Sequence, residues 1–128
     1  MQNVDLFYLL DKKILIMDVN GALCEASKRQ LALAGASIVG PLSKRDDVLL
    51  ALPLHDPDAV IIDMLAEASD MVEIVRRLDD LGTPFLFATI SDSANASNKD
   101  GFNLDGDINE LRKITQALFS GSVSLRFH

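Results

Sequence analysis

Residues 57–63 read PDAVIID, and the reading of this stretch decides the fold. The four residues AVII (59–62) are apolar without alternation. They therefore read as a strand covered on both faces, which is the place of a central strand in a parallel sheet. The strand runs straight into a carboxylate, Asp63. Outward from it, short apolar runs recur: KILIM (13–17) and SIVG (37–40) before it, FLFA (85–88) after it. Pro41 closes the second run, and FNL (102–104) reads as a fifth, very short strand.

Helical patterns fill the intervals. Residues 23–33 place Leu23, Ala26, Leu31 and Ala34 near one face, and Gly35 ends the helix. Ser43 caps a second helix that runs to Leu52, where Pro53 stops it. A third opens at Ser69 or Asp70, with Met71, Ile74, Val75 and Leu78 at helical spacing, and ends at Leu81-Gly82. Asp107 and Glu110 have the spacing of a capping box for a last helix reaching Phe119, with Ile108, Leu111, Ile114 and Leu118 inward. The polar stretch SDSANASNKD (91–100) reads as a loop. Strand–helix alternation of this kind predicts an α/β fold: a doubly wound, five-stranded parallel sheet with helices on both faces and its site at the C-terminal ends of the strands.

The chain divides into an N-terminal extension (1–11), one domain (12–120) and a C-terminal tail (121–128). The extension carries Leu6, Phe7, Tyr8, Leu9 and Leu10, which suit either a partner-binding helix or a segment folded on its own domain. The tail's Val123, Leu125 and Phe127 alternate, as in a strand added to an edge or to a neighbour.

Composition narrows the function classes. No apolar run approaches the roughly 18 residues of a membrane span, and Asp5 and Asp11 bracket the N-terminal apolar stretch where a signal peptide has a basic segment. A cytoplasmic protein is expected. One cysteine, Cys24, precludes an internal disulfide, and His55 and His128 are the only histidines. The net charge is −7 and the basic residues are scattered pairs, so no nucleic-acid partner is expected.

The chemistry-bearing residues fall just past the strands: Asp18, Val19, Asn20 and Gly21 after the first, Asp63 after the third, Thr89 and Ser91 at the fourth, Asp105 and Asp107 after the fifth. Any one aspartate there could simply cap a turn. Asp18, Asp63 and Thr89 together, at the ends of three strands, point instead to a site.

Four segments carry a resemblance: KKILIMD (12–18), SIVGP (37–41), PDAVIID (57–63) and GTPFLFAT (82–89). Through them the chain resembles, from Lys12 to Phe119, the receiver domain of bacterial two-component response regulators. The resemblance implies a flavodoxin-like sandwich with strand order 2-1-3-4-5. It implies that Asp63 is the phosphoacceptor, a carboxylate nucleophile attacking a phosphohistidine, and that Thr89 is the switch hydroxyl. It implies a Mg²⁺ site formed by Asp18, Asp63 and the backbone carbonyl of Leu65, with Asn20 as a weak neutral ligand. The implied partners are a histidine kinase, a phosphotransfer protein or another signalling protein, with a homodimer allowed and no membrane partner. No enzyme activity is implied beyond self-phosphorylation of Asp63 from a phosphodonor.

The chain also departs from that pattern. The second acidic position of the family falls on Val19. The family lysine after strand five falls near Leu104, and the first lysine after it is Lys113. A unit charge 4 Å from a phosphoryl oxygen is worth about 4 kcal/mol at an effective dielectric of 20. Replacing that lysine by leucine, with Asp105 beside it, moves the local charge the wrong way. The interval from Thr89 to Leu104 is also short for a regular helix. The expectation is a signalling module acting through protein contacts, with phosphorylation at Asp63 weak or lost and Mg²⁺ bound weakly or not at all. A competent Mg²⁺-dependent phosphoacceptor is the alternative.

A second resemblance competes. Residues 14–23, ILIMDVNGAL, are similar to the first motif of haloacid-dehalogenase-type phosphatases. Asp18 would then be the nucleophile, Asn20 would stand for the acid–base aspartate, and Thr89 or Ser91 would supply the second motif. The motif is broken at Asn20, which cannot shuttle a proton, and PDAVIID is left unexplained. A calcium loop counted from Asp105 fails, because its sixth and twelfth positions hold Glu110 and Gln116.

Overall fold

The computed structural model describes residues 4–92 and 100–119. A 3-10 helix (Val4–Leu9) leads into β1 (Lys13–Met17), α1 (Glu25–Leu33), β2 (Ser37–Leu42), α2 (Arg45–His55), β3 (Ala59–Asp63), α3 (Ala68–Leu81), β4 (Phe85–Ile90), β5 (Phe102–Leu104) and α4 (Ile108–Phe119). The five strands form one sheet in the order β2-β1-β3-β4-β5, and every pairing is parallel. Residues 59–63 are buried throughout, as their unbroken apolar run requires of the middle strand.

The alternation within the strands sorts the core onto two faces. Ile14, Ile16, Ala59, Ile61, Leu86, Ala88 and Leu104 face α1 and α4, meeting Leu31, Leu111, Ile114 and Leu118. Leu15, Met17, Val60 and Ile62 face α2 and α3, meeting Val48, Leu52, Ile74 and Leu78. Each fully buried side chain of this size contributes about 1.5–3 kcal/mol of transfer free energy. Leu9 of the 3-10 helix is 2% exposed and belongs to the first of these cores, so this segment packs against its own domain. Ser120, the tail (121–128) and most of the polar stretch (93–99) lie outside the described residues.

Several element ends differ from the sequence expectation. Lys44, not Ser43, is the N-cap of α2, and Pro53 lies inside that helix. The helix continues to His55 and ends on Asp56 in the left-handed conformation, whose N–H reaches the Leu52 carbonyl at 2.9 Å. Proline there removes one hydrogen bond in the last turn, where loss of a bond does not interrupt the helix. Helix α1 starts at Glu25 with Cys24 as N-cap, because residues 19–23 are used to wrap the Asp18 carboxylate. Strand β2 runs through Pro41 to Leu42. It is an edge strand, a position where a strand tolerates proline, and a proline there makes that edge a poor template for another chain. The capping box of α4 forms only in part. Asp107 Oδ1 accepts from Asn109 N–H at 2.9 Å, but the Asp107 N–H donates to Asp105 Oδ1 and not to Glu110.

Candidate functional site

Strands β1 and β3 are neighbours in register, with Met17 opposite Ile62. The next residues along, Asp18 and Asp63, therefore come side by side at the C-terminal edge of the sheet. They are 2% and 1% exposed. Burying two adjacent carboxylates is costly unless hydrogen bonds compensate their charge. Four backbone donors do so. Asp18 Oδ1 accepts from Ala22 N–H at 2.9 Å and Oδ2 from Leu23 N–H at 2.8 Å. Asp63 Oδ2 accepts from Val19 N–H at 2.8 Å and Oδ1 from Leu65 N–H at 2.9 Å. The β1–α1 and β3–α3 loops are thus folded around the carboxylates they were expected to present to a ligand. The pattern was readable in outline, since an Asp where a strand gives way to a loop can close a turn with its own side chain. Which N–H groups would be claimed was not.

The other expected residues fall as follows. Val19 is half-buried and packs against the core under α2 and α3. Asn20 is exposed in the turn beyond it, and Leu65 is 66% exposed, with its N–H engaged by Asp63. Thr89 lies on β4 one step past Ala88, which is the register partner of Asp63. Strand alternation groups Thr89 with Phe85 and Phe87, on the face opposite Ala88. Among the described residues no hydrogen bond joins Thr89 to Asp63.

Leu104, where the resemblance places a lysine, is 1% exposed and packs in the core under α1 and α4. Lys113 pairs with Glu110 one turn along α4, at 3.1 Å. Glu110 also accepts from the buried Asn103 at 3.1 Å. This polar link from β5 to α4 was not foreseen, because Glu110 reads in sequence as a capping-box residue and Asn103 belongs to no recognisable pattern. The cation at the start of α2, Arg45, is held by Asp46 at 3.0 Å and by Asp70 of α3 at 3.6 Å. The hydrogen bond to Asp46, then its charge, with Asp70 and Glu73 behind, raises the guanidinium pKa above its ordinary value.

Of the Mg²⁺ set that the resemblance implies, Asp18 and Asp63 stand side by side, while the family's second acidic position holds Val19, packed against the core under α2 and α3. Among the described residues no three His, Cys, Asp or Glu side chains gather as a metal-binding group.

No protein-family model matches the sequence, and no curated protein matches it. A solved structure, the response regulator PhyR from Brucella abortus, superimposes with a TM-score of 0.68 at 16% identity, over 96% of this chain and 54% of that one. The chain thus spans about half the length of that response regulator. No helix among the described residues is long and apolar enough to cross a membrane. With its parallel 2-1-3-4-5 sheet and helices on both faces, the chain has the flavodoxin-like fold of a response-regulator receiver domain.

Proposed function

We propose that this chain is a receiver-like signalling module of the two-component type that works through protein–protein contacts in the cytoplasm, with phosphorylation at Asp63 weak or lost. The observation that carries the reading is the state of Asp63: 1% exposed, with each oxygen already accepting a backbone N–H. An in-line attack needs an oxygen that a phosphodonor can approach at about 3–3.5 Å. Val19 and Leu104 add to this, since neither brings charge to the developing phosphoryl group. On this reading the chain is not an enzyme, needs no cofactor and binds no nucleic acid. Its partner is a signalling protein such as a histidine kinase or a phosphotransfer protein.

The test is incubation with Mg²⁺ and acetyl phosphate, followed by intact-mass measurement of the wild type, Asp63→Asn and Asp18→Asn. No phosphoryl adduct on the folded wild type is the expected result. An adduct abolished by Asp63→Asn alone would establish a competent phosphoacceptor instead. Turnover of the donor abolished by Asp18→Asn alone would establish a phosphatase.

A further inference from the structure

Asn20 and Gly21 lie in the turn between β1 and α1, and both are exposed. On either side of them the backbone is claimed. The Val19 N–H is bonded to Asp63, and the Ala22 and Leu23 N–H groups are bonded to Asp18. Between these anchors, among the described residues, no hydrogen bond engages the Gly21 N–H or the Asn20 side-chain amide. Gly21 sits at φ +67°, and nothing lies within 4 Å of a Cβ built on it. Glycine takes that conformation at no steric cost, and without a Cβ it leaves its own nitrogen open to the side chain before it.

The carbon of an asparagine amide is a weak electrophile, and the backbone nitrogen that follows it is the nucleophile closest in the chain. The two react fastest where that nitrogen is neither hydrogen-bonded nor hindered. Of the six asparagines in the chain, Asn20 alone precedes a glycine. Two others show the contrast. Asn103 is 2% exposed, donates to Glu110 at 3.1 Å and is followed by the buried Leu104. Asn109 is exposed in α4, but its Oδ1 accepts from Arg112 at 3.1 Å. The N–H that follows it, of Glu110, donates to the Asp107 carbonyl at 3.0 Å.

We propose that Asn20-Gly21 is a self-modification site of the folded chain. The Gly21 nitrogen loses its proton to solvent base and bonds to Asn20 Cγ. The Cγ–Nδ2 bond breaks, and ammonia leaves. Water then opens the cyclic imide. Opening at Cγ gives aspartate, and opening at the Asn20 backbone carbonyl gives isoaspartate, whose main chain runs through Cβ and Cγ and is longer by a methylene. Either product adds a carboxylate to the turn that wraps Asp18 and Asp63. The isoaspartyl form also displaces Ala22 and Leu23 relative to Val19, which loosens the hold of their N–H groups on Asp18. Phosphorylation of Asp63, present or absent, does not enter the argument.

The test is incubation of the folded full chain at neutral pH in heavy-oxygen water, beside the same chain in urea and a Gly21→Ala variant. Peptide mapping with electron-transfer fragmentation then distinguishes aspartate from isoaspartate. The expected result is exchange of NH₂ for a labelled OH at residue 20, as a mixture of both products, with Asn103 and Asn109 intact and the conversion slowed in Gly21→Ala. Amide exchange at Ala22 and Leu23 is expected to be faster in the isolated isoaspartyl form. An intact Asn20 in the folded chain, over a time that converts it in urea, would overturn the proposal. So would aspartate without isoaspartate, the mark of direct hydrolysis, whether or not Gly21→Ala folds. Unchanged amide exchange in the isoaspartyl form would overturn the loosening of the turn.

Discussion

The Asp18 carboxylate holds the β1–α1 loop by its two hydrogen bonds to Ala22 and Leu23. Asp18→Ala leaves those two N–H groups without their acceptor. Each buried unpaired group costs about 1–3 kcal/mol, partly offset because the change also removes one of two adjacent carboxylates. A net loss of about 1–3 kcal/mol is expected in urea unfolding, on the same grounds. Leu104 makes the opposite point. Restoring the lysine of the receiver pattern by Leu104→Lys places an ammonium in an apolar core. The expected outcome is destabilisation of about 3 kcal/mol or more, combining lost packing with charge burial, and no gain of phosphoryl adduct on acetyl phosphate. A folded Leu104→Lys protein that gains the adduct would show that the lysine alone was missing.

The elements end by simple means. Helix α3 closes on Gly82 at φ +70°, with the Thr83 N–H bonded to the Leu78 carbonyl at 3.0 Å, a left-handed cap that glycine adopts without a Cβ penalty. Nothing lies within 4 Å of a Cβ built there, so Gly82→Ala is expected to cost only the backbone term, about 1–2 kcal/mol. Gly35 closes α1 in the same way, but a Cβ there would meet Leu10 Cδ1 at 2.7 Å. Gly35→Ala is expected to cost more than Gly82→Ala, and paired chemical-denaturation curves compare them directly. In α2, Pro53→Ala restores an N–H in the last turn. A gain of about 1 kcal/mol is expected, below the full helix-interior value because the site is near the end and alanine frees the unfolded chain.

For the molecule as a whole, the N-terminal segment decides how much of the chain the domain needs. Leu9 is as buried as the sheet residues beside it, and the 3-10 helix packs on α4. Leu9→Ala is expected to lower stability by about 2–4 kcal/mol through cavity formation. Thermal unfolding of this variant checks it; an unchanged midpoint would mean that the segment is not part of the folding unit.

The fold was legible because its evidence is local. Unbroken apolar runs at 14–17 and 59–62, amphipathic helices between strands, and glycines at 35 and 82 each state their role within a few residues. The right-handed crossover then leaves little choice of topology. Asp18 and Asp63 were legible as neighbours for the same reason, since each ends a strand whose place in the sheet was already set. What they are bonded to depended on loops closing back across strands: Val19 N–H reaches Asp63 from 44 positions away in sequence. Only the tertiary structure could decide that, because a carboxylate buried at a sheet edge takes whichever donors packing brings within hydrogen-bonding distance. The same holds for Val19 and Leu104. As letters they are absences from a pattern; in the folded chain Leu104 is a core residue and Val19 packs half-buried against the core, each held by burial of its apolar surface.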